Sequence, residues 1–373
     1  MIHIESINPK KSLKAFIDFP HDLYKKDSNY IPELYIMQKE LLTLHPFLEH
    51  SQVQYFVAFD GSKVVGRIAA ILNQNHNRHN NTTDGFFGFF DCINSTEVAA
   101  FLFDKANNWL KLRGATTMIG PVNFSFNETC GCLIDGFDCP PVVMMPYNSP
   151  YYQGLLEKNG FAKKIDLHAF RFQGHDYEDK AVRLLNRLTD RLNRSDILIR
   201  RIDMGNFKQE AMRLKEVYNR AWDKNTGFVP MTDREFDHTA KELKMILDPD
   251  FCQIAEQHGK IVGFALAIPD LNQVLAKIPR GRLFPTGLLK LLLYRKKIKG
   301  IRILLLGVVE GYRKMGIETC FYGKIINNYR KKGFNYAEAS WTLEHNELIN
   351  RAITSINGKP YKRYRIYTRE IKS

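Results

Sequence analysis

The sequence predicts a mixed α/β (α+β) fold in two similar halves, each with a mixed central sheet flanked by helices. The length of 373 residues exceeds what one hydrophobic core usually fills, so two domains are expected. A stretch of the first half recurs in the second half at a constant offset. In both halves, β-rich runs and amphipathic helical stretches follow one another in the same mixed order. These observations together predict the fold class.

The repeat is clearest in a β-hairpin that is predicted in each half. Residues 57–71 align with residues 254–268, an offset of 197 positions throughout. Each copy has two β-rich runs around a short turn that contains glycine, which is the pattern of an antiparallel hairpin. The two copies share these identical pairs: Ala58 and Ala255, Lys63 and Lys260, Gly66 and Gly263, Ile71 and Ile268.

A second match lies nearer the end of each half. Asn148 and Asn346, 198 positions apart, each precede a helical stretch, and these stretches end at Gly160 and Gly358. Asparagine is a favoured N-cap because its side chain accepts from an otherwise unpaired amide, and glycine tolerates the left-handed turn that closes a helix. We therefore expect both asparagines to cap their helices.

The other elements are predicted from their apolar patterns. In the first half they are a strand at 85–91, a helix at 96–113, a strand at 117–120 and a strand at 165–172. In the second half they are helices at 207–222 and 233–247, a strand at 301–309, a helix at 317–332, and strands at 335–341 and 362–371. A polar, charged helix at 176–194 separates the halves. We predict an N-terminal domain at 1–175, a linker helix at 176–195 and a C-terminal domain at 196–373.

The composition excludes wholesale disorder, because 44% of the residues are hydrophobic and 25% are charged. The formal net charge of +14 is compatible with nucleic acid, an anionic membrane or a polyanionic cofactor as a partner. The stretch 271–309 has no acidic residue and indicates a segment that faces something negative or lies in solvent. Its basic residues are Lys277, Arg280, Arg282, Lys290, Arg295, Lys296, Lys297, Lys299 and Arg302.

The six cysteines are expected to be reduced, and no metal site is expected, because no second ligand pair stands at metal spacing beside Cys130, Cys132 and Cys139. The first residues carry no apolar run of signal-peptide length, and no stretch approaches the roughly 20 apolar residues of a spanning helix. We therefore expect a cytoplasmic protein, either free or peripheral to the inner face of the membrane.

Residues 304–318, with the sequence LLLGVVEGYRKMGIE, resemble the fourth strand and the Arg/Gln-x-x-Gly-x-Gly/Ala loop of the GNAT superfamily of N-acyltransferases. The element order resembles that superfamily in both halves. Such a loop ends in a helix N-terminus whose amides and dipole bind a pyrophosphate. The resemblance implies acyl-coenzyme A (acyl-CoA) as cosubstrate. The residues implied for its binding are Val308, Val309, Arg313, Lys314, Gly316, Ile317 and Asn346.

The sequence departs from the family pattern at two positions. Glu318 occupies the last position of the loop motif, where the family has glycine or alanine. The tyrosine acid that the family places about two turns into the helix after Asn346 is replaced here by Ile353 or Thr354. Amine acylation needs a general base within reach of the amine. Glu310, at the exit of the fourth strand, is the first candidate, and His345 is the second.

The first half lacks the Arg-x-x-Gly loop and is expected to bind no cofactor. Instead it has an insertion, because Gly114 to Asn148 takes 34 residues whereas Gly333 to Asn346 takes 13. Long polar, glycine-rich and proline-rich insertions are often functional, so this one is either an acceptor-binding lid or a packing loop. In or beside the insertion, Asn123 and Tyr147 are predicted to bind the acceptor. Residues 222–231, between the first two helices of the second half, resemble the region where GNAT enzymes receive the acceptor, which implies Trp222 and Asn225 as further acceptor residues.

Within the superfamily, the segments GPVNFS at 120–125 and MMPYNSPYY at 144–152 resemble a bacterial tandem group that includes the bacterial ceramide synthases. This resemblance implies transfer of an acyl group to an amine, including a long-chain, sphingoid-like amine. The run 288–299 has the apolar and basic content of an interfacial helix, which predicts peripheral contact with an anionic membrane through 277–302, although a buried helix with a basic tip has the same composition.

Two other functions remain open at this level. One is transfer from aminoacyl-tRNA, although the interleaved aromatic and basic residues typical of RNA-binding modules are lacking, so no nucleic-acid partner is expected. The other is a non-catalytic protein that binds acyl-CoA or serves as a scaffold, which Glu318 and the missing tyrosine favour.

Overall fold

The computed structural model describes residues 1–9, 12–173, 179–222 and 227–372, and for 179–184, 186 and 222 it describes the backbone only. The strands, in chain order, are β1 (Ile2–Ile7), β2 (Gln52–Asp60), β3 (Lys63–Leu72), β4 (Asp84–Cys92), β5 (Thr117–Gly120), β6 (Cys132–Asp135), β7 (Ala162–Gln173), β8 (Ile197–Arg201), β9 (Cys252–Gln257), β10 (Lys260–Pro269), β11 (Gly300–Val308), β12 (Tyr336–Leu343) and β13 (Lys359–Glu370).

The helices, also in chain order, are α1 (Lys14–Leu23), α2 (Tyr35–Leu44), α3 (Gln74–Asn80), α4 (Thr96–Lys111), α5 (Tyr152–Lys158), α6 (Asp179–Arg194), α7 (Phe207–Trp222), α8 (Asp233–Ile246), α9 (Asn272–Leu275), α10 (Gly287–Tyr294), α11 (Ile317–Lys331) and α12 (Glu347–Ser355). In the described part of the chain, none of these helices is both long and apolar enough to cross a membrane.

The chain divides into two compact units. Unit 1 contains Met1–Leu167, Leu271–Lys296 and Lys362–Ser373, and unit 2 contains His168–Asp270 and Lys297–Tyr361. The units are therefore not contiguous in sequence. The prediction that 1–175 and 196–373 are separate domains joined by 176–195 follows the sequence repeat, and it stays a prediction.

Unit 1 has a mixed sheet with the strand order β1-β2-β3-β4-β5-β13, and β6 also pairs with β13. The β2–β3 hairpin is antiparallel, whereas β4 and β5 are parallel. The chain's last strand joins this sheet through an antiparallel ladder with β5 that runs from Tyr367↔Gly120 to Glu370↔Thr117. The strand β13, which comes from the end of the second half of the sequence, thus completes the sheet of unit 1.

Unit 2 has the strand order β8-β9-β10-β11-β12, followed by the part of β7 that begins at His168. The β9–β10 hairpin is antiparallel, and β11 and β12 are parallel, as β4 and β5 are in unit 1. Helices flank both sheets. The predicted mixed α/β fold class is confirmed, and so are the two hairpins of the repeat.

Each unit buries one amphipathic helix against its own sheet. In unit 1, α4 contributes Val98, Leu102, Ala106 and Leu110, which are spaced four residues apart and lie on one face. In unit 2, α11 contributes Ile317, Phe321 and Ile325 with the same spacing. Full burial of such side chains contributes about 1.5–3 kcal/mol each, so these two helices are a large part of each core.

The two asparagines that were predicted as N-caps behave differently. Asn346 is the N-cap of α12, where its side chain accepts from the amide of Ile349 at 3.4 Å, and this prediction is confirmed. The prediction for Asn148 is wrong, because α5 begins later and has Tyr151 as an N-cap without a side-chain bond. The Asn148 side chain instead accepts from the Leu133 amide at 2.7 Å and donates to the Leu133 carbonyl at 3.0 Å.

Candidate functional site

The candidate site in unit 2 begins where two parallel strands separate. The β11–β12 ladder runs from Gly300↔Tyr336 to Ile303↔Ala339 and ends there, although β11 continues to Val308 and β12 to Leu343. A bulge coincides with this point: Leu266 pairs with Leu305 and Ala267 with Ile303, so Leu304 is the extra residue. Residues 304–307 are only half-buried. The strands therefore leave a wedge between them within unit 2.

One edge of β11 directs its backbone groups into this wedge. The Val309 amide donates to the Val262 carbonyl at 2.9 Å, which places the odd-numbered residues of this stretch towards β10. Neighbouring residues of a strand direct their backbone groups to opposite edges, so those of Val308 and Leu306 face away from β10. An extended ligand in the wedge could pair with this edge as an added strand pairs with a sheet. Of the two valines predicted for this role, Val308 has the required orientation, with its carbonyl accepting from Arg313, and the amide of Val309 is bonded to Val262.

The loop after β11 has three residues with left-handed backbone. They are Gly311 at φ 95°, Lys314 at φ 68° and Gly316 at φ 95°. Gly316 is the N-cap of α11, so the first amides of that helix, beginning with Ile317, have no carbonyl partner within the helix. Lys314 is exposed, and the buried side chain of Ile317 anchors the helix start in the core. This is the geometry of an anion site at a helix N-terminus.

Arg313 connects the loop to two other elements of unit 2. Its Nε donates to the Val308 carbonyl at 3.1 Å, and a terminal guanidinium nitrogen donates to the Ala221 carbonyl at 3.1 Å. Ala221 lies in the last turn of α7, so the loop is held beside the end of that helix. The predicted acceptor residue Trp222 is the last residue of α7, and its side chain lies outside the described residues, as does all of Asn225.

Glu318 lies in the first turn of α11, beside the amides of the candidate anion site. Burial raises the pKa of its carboxyl group, while a hydrogen bond from its own amide and the charge of Arg313 partly oppose that rise. The carboxyl group therefore lies close to its own amide at the helix start.

The two predicted general bases lie at the same end of the parallel strand pair. Glu310 follows β11 and His345 follows β12, and both side chains are exposed. The carboxyl ends of parallel strands meet at one edge of a sheet, so both residues leave the sheet at the open end of the wedge. Both residues therefore remain candidates for the general base.

Neither Ile353 nor Thr354, the two positions that align with the tyrosine acid of the GNAT superfamily, offers a group that can take over its role. Ile353 is fully buried in the core of unit 2. The hydroxyl of Thr354 donates to the Asn350 carbonyl at 2.9 Å within α12. Neither side chain can protonate a leaving thiolate from these positions.

Unit 1 has the corresponding wedge, but its own residues fill it. The β4–β5 ladder ends at Phe86↔Ile119. Beyond that point the Val122 amide donates to the Phe87 carbonyl at 2.8 Å, and the Asn123 side chain accepts from the Phe89 amide at 2.7 Å. The insertion thus pairs with the edge of β4 that corresponds to the candidate binding edge of β11.

The end of β4 is covered as well. The Cys92 amide donates to the hydroxyl of Tyr152 at 3.1 Å, and the hydroxyl of Tyr151 donates to the Cys92 carbonyl at 2.7 Å. By the sheet register, Cys92 opposite Gly66 corresponds to Val308 opposite Gly263. In unit 1, Tyr151 and Tyr152 therefore bond to the position of β4 that corresponds to the candidate binding position of β11.

The other parts of the insertion pack into unit 1. Its apolar side chains Val122, Phe124 and Val142 are buried. The hydroxyl of Tyr147 donates to an oxygen of Asp27 at 2.5 Å. The predicted acceptor residues Asn123 and Tyr147 thus both have partners inside unit 1, and of the two roles considered for the insertion, packing accounts for these contacts.

A buried polar cluster in unit 2 was not singled out from the sequence. Glu338 on β12 is 0% exposed, its carboxylate accepts from Ser340 at 2.7 Å and from the Tyr361 hydroxyl at 3.1 Å, and Arg302 lies 3.8 Å away. Arg302 also donates to the Ser340 hydroxyl at 3.1 Å and to the Ser340 carbonyl at 3.3 Å. Burial raises the pKa of Glu338, and Arg302 opposes the rise.

This cluster corrects the interpretation of Arg302. The sequence places Arg302 among the basic residues that face a negative partner or solvent, whereas it is buried and faces Glu338. The available signal was Glu338 itself, a single carboxylate within the otherwise uncharged strand YAEASWTL. Charged residues are almost never fully buried unless they are paired.

Comparison with known proteins identifies full-length relatives, although no protein-family model matches the chain. The chain is 34% identical to the bacterial ceramide synthase of Caulobacter vibrioides (strain NA1000 / CB15N), over 98% of this chain and 97% of that protein. It is 36% identical to protein YghO of Escherichia coli (strain K12), over 97% of this chain and 94% of that protein.

Solved structures share the fold at low sequence identity. A tandem GNAT protein from the clavulanic acid biosynthesis pathway superposes with a TM-score of 0.62 at 10% identity, covering 100% of this chain and 99% of that one. A GCN5-related N-acetyltransferase from Sphaerobacter thermophilus has a TM-score of 0.54 at 12% identity, covering 100% of this chain and 96% of the other. The fold is therefore the tandem GNAT fold.

Proposed function

Because this chain belongs to the family of tandem GNAT proteins that includes the bacterial ceramide synthase, we propose that it is an acyl-CoA-dependent N-acyltransferase. The proposed acceptor is a long-chain, sphingoid-like amine. The acceptor class is taken from the name of that relative and from the resemblance of residues 120–125 and 144–152 to its group, not from the geometry of a pocket.

The observation that carries the proposal is the open wedge of unit 2 together with the loop that follows it. The β11 edge at Leu306 and the amide of Val308 would pair with the pantetheine arm, and the start of α11 at Gly316 and Ile317 would hold the pyrophosphate. Lys314, exposed beside that helix start, would add positive charge. The corresponding positions of unit 1 are covered by its own side chains, so we assign a single acyl-CoA site to unit 2.

The proposed chemistry needs one proton acceptor. The amine nitrogen attacks the thioester carbonyl, the nitrogen loses a proton to Glu310 directly or through one water, and the carbon–sulfur bond then breaks. His345 is the second candidate for the base. The sulfur leaves as a thiolate, because the aligned Ile353 and Thr354 supply no acid. Asn346, besides capping α12, would lie near the thiol end of the cofactor.

We propose that the acceptor binds near the end of α7, which Arg313 ties to the loop after β11, and that Trp222 and Asn225 contact it. Asn123 and Tyr147 suit this role less well, because their polar groups are bonded within unit 1. Substitution of Trp222 by alanine should then raise KM for the amine without weakening the binding of coenzyme A.

The first test is ligand binding followed by turnover. Coenzyme A, acetyl-CoA and palmitoyl-CoA should each raise the melting temperature, since a ligand that binds only the folded state stabilises it. Sphinganine with palmitoyl-CoA should yield the N-acyl amide, detected by mass spectrometry. Glu310→Gln should retain the stabilisation and lower kcat by about 100-fold, within the range of general-base catalysis. Glu347→Gln, an exposed glutamate in the same unit, is the matched control.

A second function is favoured by Glu318 and by the buried Ile353, both of which depart from the family pattern. A protein with these features could bind acyl-CoA without turning it over. Stabilisation by palmitoyl-CoA with no amide product from a panel of long-chain and short-chain amines would establish that function instead. No stabilisation by any coenzyme A compound would contradict both.

A further inference from the structure

One face of α10 in unit 1 presents large apolar side chains to solvent. Leu288, Leu289, Leu292 and Leu293 are 41%, 59%, 55% and 57% exposed, and Phe284 just before the helix is 77% exposed. At 100° per residue, the four leucines lie within an arc of about 140°, so they form one continuous face. We call these four leucines and Phe284 the leucine face.

The leucine face is concentrated rather than scattered. Single exposed apolar residues are normal on protein surfaces, whereas contiguous apolar patches mark interaction sites. Of the 15 exposed large apolar side chains among the described residues, five belong to these ten consecutive positions, 284–293. On the inward side of the helix, Gly287 is buried, and a side chain there would collide with the Arg282 carbonyl.

The cations around the leucine face sort into two groups. Arg280 and Arg282 are bound to Asp22 and Asp18, at 2.5 and 2.7 Å, and so belong to the fold of unit 1. The other basic residues of this segment have no carboxylate partner in the described contacts and are Lys277, Lys290, Arg295 and Lys296. Lys277, Arg295 and Lys296 are exposed, and the stretch 271–296 has no acidic residue.

We propose that the leucine face of α10, with its flanking cations, docks the protein on the surface of an anionic lipid bilayer. An interfacial helix places its apolar side at the boundary of headgroups and acyl chains, and its cations meet anionic headgroups. Eight residues span about 12 Å, far too little to cross a bilayer, so the helix lies in the surface.

Charge favours a bilayer over a second copy of the chain. In a twofold contact the same patch meets itself, so Arg295 and Lys296 would approach their own counterparts and repel them. An anionic surface instead neutralises these cations while it buries the leucines. The proposal does not depend on the acyl-CoA site, and its test contains no acyl-CoA.

The experiment is cosedimentation of the full chain with vesicles. The wild-type protein should bind vesicles of phosphatidylglycerol and phosphatidylethanolamine, and bind phosphatidylcholine vesicles at least tenfold more weakly. Leu289→Ser/Leu292→Ser should lower binding to anionic vesicles at least tenfold. The matched control is Leu44→Ser/Leu112→Ser, which changes two leucines of unit 1 that are 74% and 85% exposed, and it should bind as the wild type does.

The electrostatic part is tested by Arg295→Gln/Lys296→Gln, which should weaken binding to anionic vesicles only, and Lys105→Gln/Lys111→Gln on exposed α4 positions is the control. Binding that is equal on both vesicle types, or that survives in the leucine variant, would overturn the proposal. So would a wild-type dimer in analytical ultracentrifugation that the leucine variant converts to monomer, with no vesicle binding by either.

Discussion

At the scale of single residues, we expect Glu318 to weaken the proposed phosphate site. Its carboxyl group lies in the first turn of α11, close to its own amide, where its charge would repel a bound pyrophosphate. A negative side chain is favourable for the helix itself at this end. The residue therefore stabilises the helix in the absence of ligand and opposes the ligand.

We predict that Glu318→Gln tightens the binding of coenzyme A by about threefold to tenfold at pH 7.5, because removing a like charge at this distance is worth about 1 kcal/mol. Burial raises the pKa of Glu318, so the wild-type carboxyl group becomes neutral as the pH falls. The difference between the two proteins should therefore narrow at pH 5.5. Calorimetric titration at both pH values measures this.

The control for that titration is Glu347→Gln, which removes a first-turn carboxylate from α12 that is ion-paired with Arg351. It should leave the affinity for coenzyme A unchanged. Weaker binding by Glu318→Gln than by the wild type at pH 7.5 would mean that the carboxylate supports the ligand.

Gly316 combines a left-handed backbone with a close neighbour. Its φ is 95°, and an added Cβ would lie 3.2 Å from Cδ2 of Leu188. Gly316→Ala should lower stability by about 1–2 kcal/mol through backbone strain. Gly259→Ala is the matched control, since φ is 75° there and nothing lies within 4 Å of an added Cβ.

Urea midpoints compare the stability of these two glycine variants, and only Gly316→Ala should also weaken the binding of coenzyme A. Equal affinity in both variants would show that the Gly316 turn is not part of the ligand site.

At the scale of elements, Arg302 and Glu338 form the last but one pair of the β11–β12 ladder. Arg302 pairs with Glu338 in register and also bonds to Ser340, one residue beyond the last backbone pair. The Arg302 side chain thus connects β11 to β12 at the point where the backbone hydrogen bonds between the two strands end. This arrangement defines where the wedge begins.

We predict that Arg302→Met destabilises the protein by about 3–5 kcal/mol, because it leaves Glu338 buried without a countercharge. The double variant Arg302→Met/Glu338→Gln should recover part of that loss. Urea midpoints measure both effects. A double variant as unstable as the single one would show that packing around Arg302, and not the charge pair, is what matters.

The pH dependence of Glu338 has a definite sign. Burial raises the pKa of Glu338 in the folded state above its unfolded value, so the folded state binds more protons between the two values. Its contribution to stability is therefore largest at low pH and is lost as the pH rises through the folded pKa. Between pH 5 and 8, the urea midpoint of Glu338→Gln should therefore change less with pH than that of the wild type. An unchanged slope would contradict it.

At the scale of the whole molecule, the two units repeat one sheet but differ in what lies in the wedge. In unit 1 the insertion and the tyrosines of α5 cover the edge of β4, and in unit 2 the edge of β11 is half-exposed. We therefore predict that titration calorimetry finds one coenzyme A per chain. Two equivalent sites would contradict the assignment.

Asn123→Ala tests whether the insertion of unit 1 has a structural role and no role in binding coenzyme A. It should lower stability by about 1–3 kcal/mol, because the buried amide of Phe89 loses its acceptor. The affinity for coenzyme A should stay at the wild-type value. A loss of that affinity at unchanged stability would place Asn123 in the ligand site.

Much of the fold could be predicted from local patterns in the sequence. The bounds of α7 and β5 agree with prediction to the residue, and those of α4, α11 and β11 within two. The same local signal failed at Asn148, because a neighbouring strand offered its side chain both a donor and an acceptor at Leu133. In the region of the candidate site, the sequence predicted the strand β11, and it did not predict the burial of Arg302.

By itself, the sequence determined the mixed α/β class, the two hairpins, the helix of each core and the half that carries the glycine loop. These depend on side-chain periodicity and on residues close together in the chain. Only the tertiary structure decided that β13 completes the sheet of unit 1, that Arg302 faces Glu338, and that the insertion fills the first wedge. The physical reason is that strand pairing and burial of charge are settled between segments far apart in sequence, where local pattern carries no information about the partner.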